Sequence, residues 1–186
     1  MQPNSSPSKP SIPAPQRDLA VGTLIENALS RLNAYGAEAD LKQDAQATPP
    51  PAMHQAAEAQ RVYEIAQSLC DEGNFLQAAP LAMSLAINTP FDPRFYFTTG
   101  RAFQRLGVFN VAATFYEQCM RDGESALPTY RLAECMAGMC RGHEAIALFD
   151  KAHELGRSDE QYRALQDSAL NAIERIRIQS LGNFEP

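Results

Sequence analysis

The side chains best suited to chemistry in this sequence are its cysteines and histidines. Cys135, Cys140 and His143 form a C-x4-C-x2-H pattern, but this spacing is not typical of zinc sites and no fourth ligand is evident. The other histidines are His54, beside a Pro-rich segment, and His153, late in a predicted helix. The sequence has neither a glycine-rich phosphate loop nor a serine nucleophile elbow. We therefore expect no enzymatic activity, no metal and no cofactor.

The composition is that of a globular protein with an acidic balance. The 186 residues carry a formal net charge of −6, and 45% of them are apolar. Nucleic-acid affinity comes mainly from Lys and Arg contacts with phosphates, so this balance argues against a nucleic-acid partner. No apolar stretch approaches the roughly 20 residues of a membrane span, and the N-terminus lacks the apolar core of a signal peptide. We expect a cytoplasmic protein with reduced cysteines and no membrane insertion.

The N-terminal part of the chain, up to position 52, divides into three segments of different character. Residues 1–17 are rich in Pro, Ser and Gln and are expected to be disordered, because they cannot bury enough apolar surface to offset the entropy of ordering. Residues 18–47 are expected to form an amphipathic helix, and the prolines of 48–52 a linker. The helix presents one apolar stripe that is a candidate homodimer contact: Val21, Leu24, Ile25, Ala28 and Leu32.

An internal repeat is the main organising signal in the rest of the chain. The separation of Gly73 and Gly107 equals that of Tyr96 and Tyr130. This separation is the period of tetratricopeptide (TPR) repeats, about 34 residues, in which each unit is a pair of helices. Several positions match in the same register, which favours a true repeat over a helical bundle with chance periodicity.

The predicted fold is therefore all-α. We expect three tandem TPR helix pairs over residues 53–157, whose first helices line a concave groove. A C-terminal capping helix at 158–181 and a tail at 182–186 complete the chain.

Two irregularities interrupt the repeat. Ala112 and Ala145 are one position closer together than the period, so we expect the third repeat to have lost a residue, in the turn "MCRGHE". Pro80 lies within the predicted second helix of the first repeat, where it removes a backbone donor. We expect a kink or a late start of that helix.

One face of the predicted first helices combines aromatic and polar side chains. Steps of three, four and seven positions share a helix face, so Phe97 lies on the same side as Arg94, Arg101 and Arg105. Such a mixture suits an extended peptide, because polar groups can bond its backbone while pockets take its apolar side chains. With a shift of one full period between repeats, the expected groove residues are Gln60, Tyr63, Gln67, Cys70, Arg94, Phe97, Thr98, Arg101, Gln104, Arg105, Arg131 and Met139.

Three stretches, "DPRFYFTTGRAFQRLG", "AATFYEQCM" and "RLAECMAGMCRGHEAIALFDKAHEL", give the chain a family resemblance. Over about residues 55–160 the sequence resembles the class II chaperones of bacterial type III secretion, which are TPR chaperones of pore-forming translocator proteins. The D-x-R-F-aromatic start of the second repeat and the A-E-C at 133–135 carry the resemblance.

The resemblance implies a cytosolic chaperone that keeps hydrophobic translocator proteins soluble before export. It also implies that an extended client segment binds in the groove, with Tyr63, Phe97 and Arg101 among its contacts, and that N-terminal helices form a homodimer. An alternative is a TPR adaptor or regulatory scaffold outside secretion, which binds a soluble peptide motif. An apolar, otherwise insoluble co-purifying protein would favour the chaperone.

Overall fold

The computed structural model of the chain describes residues 53–89 and 92–182. Within these ranges the regular structure is entirely helical, which confirms the all-α prediction. The predictions for residues 1–52 and for tail residues 183–186 lie outside the described residues. The helices are α1 (Met53–Asp71), α2 (Phe75–Asn88), α3 (Pro93–Arg105), α4 (Phe109–Cys119), α5 (Ala126–Gly138), α6 (Gly142–Gly156) and α7 (Arg163–Gly182).

The helices form three successive pairs, α1/α2, α3/α4 and α5/α6, as expected of TPR repeats. Each helix packs against the next one along the chain, and α1 also contacts α3. One continuous core of buried side chains runs through all three pairs. Its largest members belong mainly to the second repeat, where the buried rings of Phe103 and Phe115 stack with centroids 6.0 Å apart.

Close packing between helices depends on two glycines. A Cβ atom added to Gly100 would lie 2.9 Å from the ring of Tyr116, and one added to Gly138 would lie 2.7 Å from the ring of Phe109. Both distances are shorter than packed side chains tolerate, so only glycine allows these rings to lie against the helix backbone.

The turn within each repeat uses the same backbone conformation. Gly73 and Gly107 have φ values of +79° and +81°, and Cys140 has a φ of 61° at the matching place in the third repeat. In each case the residue that follows donates a backbone hydrogen bond to a carbonyl near the end of the preceding helix. In the third repeat this bond joins Arg141 N to Met136 O, at 2.9 Å. This is the left-handed helix ending that usually requires glycine. The third repeat therefore carries a side chain where the first two have none.

The missing residue of the third repeat lies before α5, so its predicted place in "MCRGHE" is wrong. Helix α4 begins one full period after the start of α2. Both ends of α5, however, lie one residue less than a full period after the corresponding ends of α3. Helix α4 has 11 residues against 14 in α2, so it ends early. As a result, Phe97 corresponds to Tyr130 and Arg101 corresponds to Glu134.

Pro80 does not delay the second helix of the first repeat, contrary to one of our expectations. Helix α2 begins at Phe75, in register with Phe109 of α4, and continues through Pro80. A proline inside a helix removes one backbone hydrogen bond. Pro80 is only half-buried.

The last helix packs on the third repeat. A short 3-10 turn at Glu160–Tyr162 leads into α7. Buried Ala169, Ala172 and Ile173 belong to the face of α7 that joins the common core. Among the described helices, none is both long and apolar enough to cross a membrane.

Candidate peptide-binding groove

Three aromatic side chains occupy equivalent positions on the first helices of the three repeats. They are Tyr63 on α1, Phe97 on α3 and Tyr130 on α5. All three are half-buried and pack against the core. We call Tyr63, Phe97 and Tyr130 the aromatic row, and the face of α1, α3 and α5 that carries them the groove face.

In the second and third repeats, a ring from the second helix supports the aromatic row from below. The centroids of Phe97 and Tyr116 are 5.6 Å apart, and those of Tyr130 and Phe149 are 5.2 Å apart, both edge-on. Tyr116 and Phe149 are both buried and occupy equivalent positions in their repeats. Edge-to-face packing of this kind fixes the orientation of the exposed ring.

The first repeat supports its aromatic residue in another way. Ala82 stands where Tyr116 and Phe149 stand in the later repeats, so Tyr63 packs instead on Phe95 of α3, with centroids 5.4 Å apart. The guanidinium of Arg94 lies 5.3 Å from the centroid of the Tyr63 ring. Gln67 donates a hydrogen bond of 2.8 Å to the Tyr63 hydroxyl.

One turn after each aromatic residue follows a polar side chain: Gln67, Arg101 and Glu134. Arg101 donates a hydrogen bond of 2.8 Å to Asp71, which links α3 to the end of α1. Both partners of this ion pair are substantially exposed, with relative exposures of 38% and 69%. Exposed pairs of this kind contribute little to stability because water screens them.

A less exposed hydrogen-bond network links the second repeat to the third. The Tyr116 hydroxyl donates to Gln104 Oε1 at 2.7 Å. Gln104 Nε2 and Arg131 Nη1 both donate to Glu134 Oε2, each at 2.8 Å. Burial raises the pKa of Tyr116 well above its usual range, so the hydroxyl keeps its proton and fixes the orientation of the Gln104 amide.

Four predicted groove residues have other surroundings than expected. Cys70 and Thr98 are only 2% and 4% exposed, so neither offers a side chain to a ligand. The Thr98 hydroxyl donates to the Arg94 carbonyl of its own helix, and burial raises the pKa of the Cys70 thiol. The Arg105 guanidinium lies 5.3 Å from the ring centroid of Phe75, so it points towards α2. Met139 lies at the C-cap of α5, past the end of the helix.

The structure places the remaining predicted residues on the first helices. Two of them are on α1, three on α3 and one on α5, in addition to the aromatic row. Each has a side chain that is at least partly exposed. They are Gln60, Gln67, Arg94, Arg101, Gln104 and Arg131, with Tyr63 and Phe97.

Sequence reasoning missed Tyr130 and Glu134. A shift of one full period assigned Tyr130 to the packing side and placed Met139 in the groove. The shortened spacing between Ala112 and Ala145 was the available signal. Placing the lost residue one helix earlier would have brought Tyr130 and Glu134 onto the groove face.

The cysteine and histidine pattern of the third repeat does not converge on one point. Cys135 is buried, and burial raises the pKa of its thiol to about 12. Cys140 and His143 are exposed. In the part of the chain that the structure describes, no group of three His, Cys, Asp or Glu residues is placed to hold a metal ion.

Comparison with known proteins gives structural neighbours only. No protein-family model matches the sequence, and no curated protein matches it either. Solved structures do match. The type III secretion chaperone SycD of Yersinia enterocolitica, in complex with a peptide of the translocator YopD, is 21% identical with a TM-score of 0.62, over 67% of this chain and 95% of SycD. This chain has the same fold.

Two further structures agree. PcrH of Pseudomonas aeruginosa, solved with the chaperone binding region of PopD, is 19% identical with a TM-score of 0.64, over 72% of this chain and 99% of PcrH. A chain in a type III secretion complex from Aeromonas hydrophila is 20% identical with a TM-score of 0.67. The match covers 81% of the present chain and 99% of the Aeromonas chain. The match to such chains confirms the predicted TPR-like fold.

Proposed function

We propose that this chain is a chaperone of type III secretion that binds an extended segment of a hydrophobic translocator protein on its groove face. The observation that carries the proposal is the aromatic row, which recurs at one equivalent position in all three repeats and is half-buried in each. Two solved structures of the same fold are complexes with translocator segments, which supports this choice of client.

The groove residues suit sequestration without turnover. Apolar side chains of the client would pack between the rings of the aromatic row, and each ring would lose water on binding. The amide and guanidinium groups of Gln67, Gln104 and Arg101 can bond the client backbone and so set its register. The protein would act in the cytosol before export, and none of these steps requires a catalytic group or a cofactor.

We further propose that the chain forms a homodimer through the helix predicted for residues 18–47. The apolar stripe from Val21 to Leu32 supports this, since a helix with one apolar stripe must bury it against another element. Sedimentation analysis of the full chain with Leu24→Glu and Ile25→Glu tests it. We expect the variant to sediment as a monomer, and an unchanged dimer would exclude this helix as the contact.

Co-expression with candidate translocator proteins tests the chaperone function. Tyr63→Glu and Phe97→Glu place a charge in the groove and should abolish soluble co-elution of the client. Leu155→Glu is the matched control, because Leu155 is an exposed apolar residue near the end of α6, which is the second helix of its pair and does not carry the groove face. Circular dichroism of each variant separates loss of binding from loss of folding.

The outcomes distinguish the alternatives. Loss of the complex in folded groove variants, with the control intact, supports the chaperone. Unchanged binding in the groove variants would contradict a groove site. Binding of a soluble peptide motif without any apolar client would favour the TPR adaptor.

A further inference from the structure

Two cavities recur at the same place in successive repeats, along one edge of the helix stack. The first, of about 470 Å3, is bounded by the start of α1, the end of α2 and the start of α3. The second, of about 320 Å3, is bounded by the start of α3, the end of α4 and the start of α5. Their walls use equivalent positions: Ala59 and Pro93, Val62 and Tyr96, Leu85 and Cys119, Asn88 and Asp122, Phe95 and Pro128. We call these the first and second edge cavities.

Both edge cavities have an apolar floor and a polar rim. Val62, Leu85 and Phe95 form the floor of the first cavity, and polar groups such as Ser84 and Asn88 line its rim. A floor of this kind takes an apolar side chain, while the rim leaves the ligand backbone in contact with polar groups and water.

The second cavity repeats this arrangement with one aromatic ring and two prolines in its wall. Pro93, Tyr96 and Pro128 line it, and Gln118 and Asp122 lie at the rim. Surfaces lined by aromatic side chains are the usual docking sites for proline-rich segments.

The spacing of the two cavities favours a polyproline II ligand. Helix α3 forms a wall of both, so the cavities are separated by one helix, which is about 10 Å across. In a polyproline II segment, residues three apart point the same way and are roughly 9 Å apart. In a β-strand, residues three apart point in opposite directions. A segment with prolines at every third position therefore matches the two cavities.

The chain contains such a segment close to its N-terminus. Pro7, Pro10 and Pro13 are spaced by three in "PSKPSIP". We propose that residues 7–13 dock on this edge of their own chain, with two successive prolines of this series in the two edge cavities.

Chain length and charge agree with this occupant. Helix α1 begins at Met53, within one turn of Ala56 on the wall of the first cavity. The residues between Pro13 and Met53 span more than about 100 Å when extended, far more than the edge requires. Lys9 is the charged side chain of the segment. Glu58 and Asp92 outnumber Arg94 at the first cavity, while Asp122 and Arg121 balance each other at the second.

The first edge cavity includes Gln60 and Arg94 of the groove face, whereas the aromatic row lines neither cavity. The polyproline II conformation is favoured in such segments before binding, so less conformational entropy is lost on docking than with a flexible chain. The proposal does not depend on the client or on the chaperone function.

Photo-crosslinking in the full chain tests the proposal. A benzophenone amino acid replaces Ser84 at the first cavity or Gln118 at the second. The control position is Gln77, which is exposed near the opposite end of α2. We expect mass spectrometry to find crosslinks from positions 84 and 118 to residues 7–13, and at least fivefold fewer from position 77.

Two proline variants make the test specific. Pro7→Ala, Pro10→Ala and Pro13→Ala together should reduce the crosslinks at least fivefold. Pro49→Ala, Pro50→Ala and Pro51→Ala together remove the same number of prolines and should leave them unchanged. Mixing isotopically light and heavy chains shows whether a crosslink lies within one chain. Any of five results would overturn the proposal. Crosslinks could be absent, could form between chains, or could join another segment. They could also be equally frequent from position 77, or unchanged by the first proline variant.

Discussion

The two junctions between repeats support the same aromatic row by different means. Between the first and second repeats, Ala82 takes the place of a supporting ring and Tyr63 packs on Phe95 instead. The polar contact at this junction is the exposed ion pair of Arg101 and Asp71. Between the second and third, buried Tyr116 and the network through Gln104 and Glu134 perform this role. The difference teaches that the polar groove residues of the second junction are tied to the core through buried Tyr116, whereas the polar pair of the first junction is exposed to solvent.

The largest expected effect is the loss of the supporting ring at the second junction. Tyr116→Ala would leave a cavity beneath Phe97 and remove the donor to Gln104. We expect a loss of about 3–5 kcal/mol in the free energy of unfolding, as for other buried aromatic truncations. Urea denaturation followed by circular dichroism measures it. A loss below about 1 kcal/mol, the ordinary size of a single-residue effect, would show that the two junctions do not differ as described.

A methyl group at Gly100 should have the next largest effect. The added Cβ would lie 2.9 Å from the Tyr116 ring, so the ring or the helix must shift, at a cost of about 1–3 kcal/mol. Ala66 is the equivalent residue of the first repeat, in which Ala82 stands at the position of the Tyr116 ring. Ala66→Gly should cost only about 1 kcal/mol, from helix propensity. Thermal unfolding of both variants compares them, and equal stability of Gly100→Ala and wild type would contradict the tight contact.

Removing one acid from each junction compares the two polar contacts. Glu134→Ala leaves the partly buried Gln104 and Arg131 without their acceptor and should cost about 1–3 kcal/mol. Asp71→Ala breaks an exposed pair and should cost less than about 1 kcal/mol. Denaturation in low and high salt checks the assignment. The Asp71 effect should fade more as salt is added, because Glu134 also accepts a hydrogen bond from the uncharged Gln104 amide. A larger loss for Asp71→Ala would reverse the comparison.

The smallest expected effect is a gain in stability. Cys140 has a φ of 61° where the first two repeats have glycine, and this conformation is unfavourable for a residue with a Cβ. Cys140→Gly should raise the free energy of unfolding by about 1 kcal/mol. Gly107→Ala is the matched reverse change. A Cβ at Gly107 meets no atom within 4 Å, so only the backbone conformation is penalised and the free energy of unfolding should fall by a similar amount. Destabilisation by Cys140→Gly would contradict the argument.

The sequence alone was enough to predict the fold. The recurrence of Gly73 and Gly107, with apolar residues at helical spacing, defined the helix pairs because turns and packing faces leave periodic patterns. The candidate groove residues of α1 and α3 were assigned from the faces of those helices and remain a prediction.

The third repeat shows what could not be predicted. The loss of one residue before α5 shifts the correspondence between α5 and the earlier first helices by one residue, which is a rotation of about 100° around the helix axis. The sequence does not show unambiguously where that residue was lost. Burial of Thr98 and Cys70 likewise depends on how neighbouring helices pack, which single-helix periodicity does not contain.

The most direct test of the groove is a comparison of Tyr130 with Met139. Isothermal titration of a translocator segment into folded Tyr130→Ala and Met139→Ala variants measures the two dissociation constants. The structure places Tyr130 in the aromatic row and Met139 past the end of α5. We expect Tyr130→Ala to weaken binding at least tenfold, about 1.4 kcal/mol, and Met139→Ala to change it less than twofold. Unchanged binding by Tyr130→Ala, or the larger loss in Met139→Ala, would contradict the account.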